Sequence, residues 1–403
     1  MKRTFSIVLV TALSLAGLGA DWAQFRGPSG ASHAPQVQLP TTWKEGQNIA
    51  WKVPLPGRGP ASPIVVGKQV IVTCSDGPIQ DRLYVASYDS TTGQQQWQRQ
   101  FWATGRTYSH PDSANAAPTP TSDGKRIYAF FSSNDLMCLD LAGNLLWYRG
   151  LAYDYPKAGN DVGMSSSPVV VGDTVVVQIE NFGDSFAAGL DAATGETRWR
   201  LPRKASSNWA SPAILKQAGG RELVLLQSAG ILTAHDPRTG DQVWQYEAPC
   251  QTIPSVVAVD GRVYIPTNGI TALDIGDATA PQQAWHVDKL TASGASPMVA
   301  GGRVYTLNNV GVLVSVDAKT GKDLQQMRIG GRYWATPVIA GDHMFCIDQD
   351  GKARVLKLAD GKAELVGESE FGEKIQGSPA VGDGALFVRS DKHLWKISSA
   401  SGK

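Results

Sequence analysis

The chain is poor in the residues that announce metal, disulfide or nucleophilic chemistry. Its 403 residues hold four cysteines, Cys74, Cys138, Cys250 and Cys346, none adjacent to another and none in a CxxC pair. That spacing excludes a local zinc ribbon, an attached c-type haem and a vicinal disulfide. The G-x-S-x-G and H-E-x-x-H signatures are both absent, so two local hydrolase motifs are missing. His110, His235 and His343 lie too far apart in the chain to form a local metal cluster. Charged residues make up only 18%, and the formal net charge is +1. With no basic block, nothing supports nucleic-acid binding. Beyond residue 20 no run of 18 apolar residues occurs, so the mature chain is expected to be soluble, without a transmembrane segment.

What is present begins with the first 20 residues. Lys2 and Arg3 precede an apolar stretch from Phe5 to Leu18, and Gly19-Ala20 stand before Asp21. This order predicts a signal peptide over 1–20 and a periplasmic or secreted protein. No cysteine near that point could carry a lipid anchor. Removing Lys2 and Arg3 takes the 37 basic residues to 35 against 36 acidic ones, a nearly neutral balance.

Glycine (43 residues) and proline (23) are abundant and periodically placed. A Ser/Thr-Pro step, a short apolar run, a Gly turn and a Val/Tyr-rich strand recur from Ser62, Thr119, Ser167, Ser211, Ser296, Thr336 and Ser378. An eighth copy starts at Ser255, with Val256 in place of proline, and successive anchors are 40 to 57 residues apart. This period matches a four-stranded propeller blade. A second phrase, Asp, a Gly-containing turn, then Trp, closes most copies: Asp89 to Trp97, Asp140 to Trp147, Asp191 to Trp199, Asp236 to Trp244 and Asp274 to Trp285. In the sixth copy Gln325 stands where Trp is expected, and the seventh, near Leu358 to Leu365, has lost both residues. Asp can accept from the amides of its own turn, and Gly supplies the positive φ. Trp51, Trp97, Trp147, Trp199, Trp244 and Trp285 are therefore read as apolar wedges between neighbouring blades.

The last copy ends one strand short. Asn48 to Val53, with Trp51, resembles the missing outer strand. The expected fold is all-β: an eight-bladed propeller of four-stranded antiparallel blades, closed by an N-terminal strand completing the last blade. The expected organisation is a signal peptide at 1–20, an extension at 21–47 and the propeller at 48–399.

The repeated Asp-x-x-Thr-Gly-x-x-x-Trp phrase resembles the pyrroloquinoline-quinone (PQQ)-like propeller repeat. The superfamily so implied contains quinoprotein dehydrogenases and cofactor-free propellers, among them the outer membrane assembly factor BamB family. The opening Asp21-Trp22-Ala23-Gln24-Phe25-Arg26-Gly27-Pro28 resembles the start of exported bacterial members, and is read as a cap or packing segment. In the dehydrogenases the resemblance implies a quinone stacked between a tryptophan and a vicinal disulfide, a calcium ion and an aspartate base. This chain has no such cysteine pair, and oxygen-rich candidates such as Glu180-Asn181 are weak evidence for calcium. The resemblance therefore implies a non-catalytic, monomeric scaffold that binds a protein or polymer partner in the cell envelope, without catalytic residues, metal or cofactor. It departs from BamB in lacking the lipoprotein cysteine. The alternatives are a PQQ- and calcium-dependent oxidoreductase and a carbohydrate- or polymer-binding accessory protein.

A site in a propeller is expected where the loops leading into the innermost strands crowd one mouth of the channel. Those loops carry Arg58, Trp102, Arg106, Tyr108, Asp154, Tyr155, Asn208, Trp209, Arg332, Tyr333, Trp334 and Lys374. Trp209 and Trp334 share one repeat position, two residues before the anchor. The expected site is a rim of aromatic and basic groups for a peptide, glycan or small anion.

Overall fold

A computed structural model describes residues 21–159, 161–275, 280–359 and 362–399. The expected signal peptide lies outside these residues. The described chain is a closed ring of eight antiparallel sheets, and its only α-helix is the four-residue Leu151–Asp154. Blade 1 runs through Ile64–Val66, Gln69–Asp76, Arg82–Asp89 and Gln95–Trp102, from the channel outward. The inner strands of blades 2 to 8 begin at Thr121, Val169, Ala213, Val257, Met298, Val338 and Ala380. Blade 8 has three strands of its own, and Ile49–Pro54 pairs antiparallel with His393–Ile397 as the fourth. The ring closes as the sequence predicts, so blades 1 and 8 bury faces that a broken ring would expose.

The Asp–Gly–Trp phrase resolves into a contact between blades. The Trp97 indole N–H donates to the Leu141 carbonyl at 2.9 Å, and Trp147 donates to Ala192 at 3.2 Å. Trp199 reaches Pro237 at 2.9 Å, Trp285 reaches Ala318 at 3.0 Å, and Trp51 reaches Ser90 at 3.1 Å. Each acceptor is the residue after the turn Asp of the following blade. The turn Asp meanwhile orders its own loop: Asp191 Oδ1 accepts from the amides of Ala193 and Thr194 at 2.8 and 2.9 Å. The turn glycine then covers the preceding tryptophan. A Cβ on Gly195, at φ +74°, would stand 2.7 Å from the Trp147 ring, a separation no side chain tolerates. Trp244 is buried in the apolar cluster shared by blades 4 and 5.

The two defective copies are repaired differently. Gln325, in the tryptophan position of blade 6, donates its amide N–H to the Ala363 carbonyl at 3.0 Å and accepts from the Ala363 N–H. In blade 7 the tryptophan position falls on Gly367, opposite Val355 and beside the bulge. A Cβ there would collide with the Thr41 carbonyl, because the N-terminal segment crosses at that point. The segment supplies Trp43, which is buried, lies 5.5 Å from Phe371 and 6.5 Å from Phe345 by ring centroid, and donates its backbone N–H to Ser369 Oγ at 2.8 Å. A distant residue thus fills the place of the wedge that the seventh copy lacks.

Upstream of Trp43 the same segment crosses the channel at the end away from the long loops. Trp22 forms a bridge with Val65 of blade 1, and the Ala23 carbonyl accepts from Ser122 of blade 2. The Ala31 carbonyl accepts from Val299 of blade 6, and His33–Ala34 adds a parallel strand to Val338–Ala340 of blade 7. The buried Arg26 guanidinium donates to the carbonyls of Ser255 and Val256 at 3.4 and 2.8 Å. The residues 21–34 therefore tie together the inner strands of blades 1, 2, 5, 6 and 7. All four cysteines are free and buried.

Candidate functional site

The repeat's Ser/Thr anchor has a structural reason that its sequence does not disclose. The Ser62 backbone N–H donates to Thr119 Oγ1, Thr119 to Ser167 Oγ, and Ser167 to Ser211 Oγ, at 2.9 to 3.0 Å. The chain continues from Ser211 to Ser255, Ser296, Thr336 and Ser378, again at 2.9 to 3.0 Å. Seven bonds thus link the eight innermost strands around the axis. Ser and Thr meet both needs, a short side chain and an oxygen that accepts an amide N–H.

All eight anchors line one cavity of about 460 Å³. Phe25 also lines it, and lines as well a second cavity of about 280 Å³ bounded by Arg26 and the inner strands of blades 3 to 5. The central space is therefore a cup with the N-terminal segment across its base. Its open mouth is formed by His110 and Asp112 from the insert before blade 2, Val162 and Trp209, Ile253, and Arg332 with Trp334. A groove of about 410 Å³ adjoins it and shares Ile253, Gly294 and Trp334 with the cup.

The expected rim residues divide. Trp209, Arg332 and Trp334 line the cup. The Trp209 indole N–H donates to the Gly163 carbonyl at 2.6 Å, whereas the Trp334 ring packs over Gly294 and remains 38% exposed. Arg58 and Lys374 secure the insert: Arg58 donates to the Pro111 carbonyl at 3.1 Å and Lys374 Nζ lies 2.6 Å from Asp112. The Lys374 bond holds the Asp112 carboxyl below its usual range, with nearby His110 and Arg332 acting in the same direction.

Trp102, Arg106 and Tyr108 are exposed outside the cup, with the Arg106 guanidinium 5.1 Å from the Tyr108 ring. Asp154 pairs with Arg149 at 2.6 Å, and Tyr155 packs on Phe186 under Arg200. Two expected rim residues are buried instead. Tyr333 is fully buried, accepts from Arg354 at 3.1 Å, and is raised by burial above its ordinary titration range. Between Arg332 and Trp334, it turns to the opposite side of an extended segment. Asn208 is buried, and its amide donates to the Gln227 carbonyl at 2.7 Å. Sequence reasoning missed Val162 and Ile253; each precedes an anchor by a few residues, but such loops have no fixed period.

The apolar residues around this mouth extend well beyond it. Ile79, Trp102, Tyr108, Tyr153, Val162, Phe182, Ile253, Val310 and Trp334 are all exposed. Each lies at or within a loop after the second or the fourth strand of its blade, which is the face that carries the mouth. The other four large apolar residues exposed among the described residues, Leu145, Leu146, Leu365 and Val366, sit in outer strands. The turns of the opposite face carry none of these residues.

The Glu180-Asn181 pair is already engaged by the protein itself. The Glu180 carboxylate is buried away from the cup, and Oε1 already accepts from Arg203 at 3.0 Å, Ser228 at 2.5 Å and Gln178 at 2.8 Å. Oε2 has no partner among the described residues, but the adjacent guanidinium opposes a divalent cation there. Asn181 spends its amide on its own turn, accepting from Gly183 and donating to Asp184. The described residues contain no cluster of three His, Cys, Asp or Glu able to hold a metal.

Comparison with known proteins agrees with the repeat. The family model described as outer membrane protein assembly factor BamB matches residues 41–176, 157–272 and 266–364. BamB of Legionella pneumophila (strain Paris) is 21% identical over 202 residues, covering 48% of this chain and 51% of its own. The curated relatives are covered over only 20% to 51% of their length. Among solved structures, BamB from Moraxella catarrhalis superposes with a TM-score of 0.67 at 18% identity, covering 88% of this chain and 99% of its own. Quinohemoprotein alcohol dehydrogenase from Comamonas testosteroni gives 0.69 at 13% identity, covering 96% and 82%. At such identities the likeness carries the fold alone.

Proposed function

This chain belongs to the outer membrane protein assembly factor BamB family, and we propose on that premise that it is a non-catalytic scaffold in the periplasm or outside the cell, binding a protein partner of the cell envelope. The observation that carries the reading is the one-sided distribution of exposed apolar side chains. They gather on the face that holds the cup, where a partner would bury them. Aromatic anchors beside a recess are the usual energetic centre of such contacts. No helix among the described residues is long and apolar enough to cross a membrane.

The test is affinity capture from the native envelope with the intact protein and with Trp209→Ala/Trp334→Ala. The reading expects a reproducible partner whose recovery falls at least about tenfold in the variant, with thermal unfolding nearly unchanged. Undiminished capture contradicts it, and a collapsed melting temperature assigns the tryptophans to packing.

A further inference from the structure

We propose that the cup accepts a carboxylate of the partner, seated at the anchor ring beside Arg332, while an adjoining apolar side chain lies in the groove against Trp334 and Ile253. This rests on the partner-binding reading above and names what the mouth would recognise: an acidic residue next to an apolar one in a polypeptide.

Three independent features converge on it. The first is the hydroxyl ring. Thr119, Ser167, Ser211, Ser255, Ser296, Thr336 and Ser378 each accept a backbone N–H through Oγ. Accepting uses a lone pair and leaves the O–H to donate. These seven hydroxyls donate to no acceptor found among the described residues, and all line the cup. A buried ring of spare donors is a surface that favours an oxyanion.

The second is charge. Asp112 is the only carboxylate among the described residues that line the cup, and it is bonded to Lys374 at 2.6 Å. Arg332 lies near enough to lower the Asp112 pKa further, but forms no ion pair among the described residues and remains exposed. Two basic side chains, Lys374 and Arg332, therefore stand near one carboxylate. A second carboxylate would complete the balance, and Arg can receive it in bidentate fashion.

The third is shape. Arg332 and Trp334 stand two residues apart on one side of an extended segment, while Tyr333 turns into the core. The cup and the groove share Ile253, Gly294 and Trp334. A Cβ on Gly294 would come within 2.9 Å of the Trp334 ring, so glycine is what lets the indole lie between the two spaces. A carboxylate and a neighbouring apolar group can then occupy both at once.

The test uses the full-length protein, with the indole N–H resonances of its tryptophans followed during titration. The probes are 3-phenylpropionate and its neutral isostere 3-phenylpropionamide. Saturable shifts are expected at Trp209 and Trp334, with the acid binding at least about tenfold more tightly than the amide. Arg332→Ala, at an exposed position, should bring acid and amide within about twofold of each other while the amide still shifts Trp334. Equal binding of acid and amide to the unaltered protein overturns the proposal. So does acid binding that is unchanged by Arg332→Ala, or shifts confined to other tryptophans. If the probes fail while envelope capture still depends on Trp209 and Trp334, the carboxylate site is refuted and the scaffold reading stands. If capture fails as well, both fall.

Discussion

Replacing Trp43 with alanine tests whether a residue from the N-terminal segment has taken over the wedge of the seventh blade. Trp43 is 3% exposed, packs against Phe345 and Phe371, and crosses a blade whose own wedge position is Gly367. A buried indole removes roughly 200 Å² from water, which at about 25 cal/mol per Å² sets an upper bound near 5 kcal/mol. Measured truncations of buried Phe and Trp cost about 3–5 kcal/mol. Against a typical total stability of about 5–15 kcal/mol, such a loss is easily resolved. Equilibrium urea unfolding followed by far-ultraviolet circular dichroism avoids the change in tryptophan signal. Trp102→Ala is the control, because Trp102 is 61% exposed, and its change should stay within about 0.5 kcal/mol. Hydrogen exchange in Trp43→Ala should accelerate first in blades 7 and 8. A loss below about 1 kcal/mol would refute the reasoning, since it would show that the blades 7 and 8 contact does not need the wedge.

Three further outcomes are expected. Gly195→Ala should destabilise more than Gly172→Ala: both glycines have positive φ, but only the first has a tryptophan ring 2.7 Å from the new Cβ, while the second meets nothing within 4 Å. The difference in urea midpoint isolates the ring clash, and equal midpoints would contradict the wedge geometry. Stability should decline in acid. Bonding to Arg198 pulls Asp173 down to about 2 and, with bonds within its turn, holds Asp191 below its usual range; turn bonds do the same for Asp89 and Asp317. Carboxylates with a depressed folded pKa stabilise fully above the unfolded value near 4 and lose that contribution as the pH falls through the folded one. Burial lowers the pKa of His235, so its protonation below about 6.5 acts in the same direction. Urea midpoints from pH 7 to 3 check this, and a flat profile would contradict it. Titration with PQQ and calcium should show no binding at about 100 μM; saturable binding there would restore the oxidoreductase alternative.

The blade count and the closure were legible because their determinants recur. The Asp–Gly–Trp phrase of most copies records a local turn and a contact with the next blade. The repair of blade 7 was not legible, because Trp43 and Gly367 are brought together only by the crossing of the N-terminal segment. The rim was legible in part. Trp209 and Trp334 stood out by their shared place before the anchor, and both line the cup. Tyr333 and Asn208 share the same loops but turn inward, since side-chain direction in an irregular segment depends on backbone angles that composition does not encode. The anchors themselves were visible as a repeated Ser/Thr, yet their hydroxyl ring emerges only when all eight strands meet at one axis.

The most direct test of the scaffold reading is site-specific photo-crosslinking in the native envelope. A photoreactive phenylalanine analogue placed at Tyr153 or Phe182, both exposed on the face of the mouth, is compared with the same group at Lys125 or Arg238 in the opposite turns. The account predicts a common crosslinked partner from the first pair and none from the second. A partner captured equally from both faces, or only through Lys125 and Arg238, would contradict it.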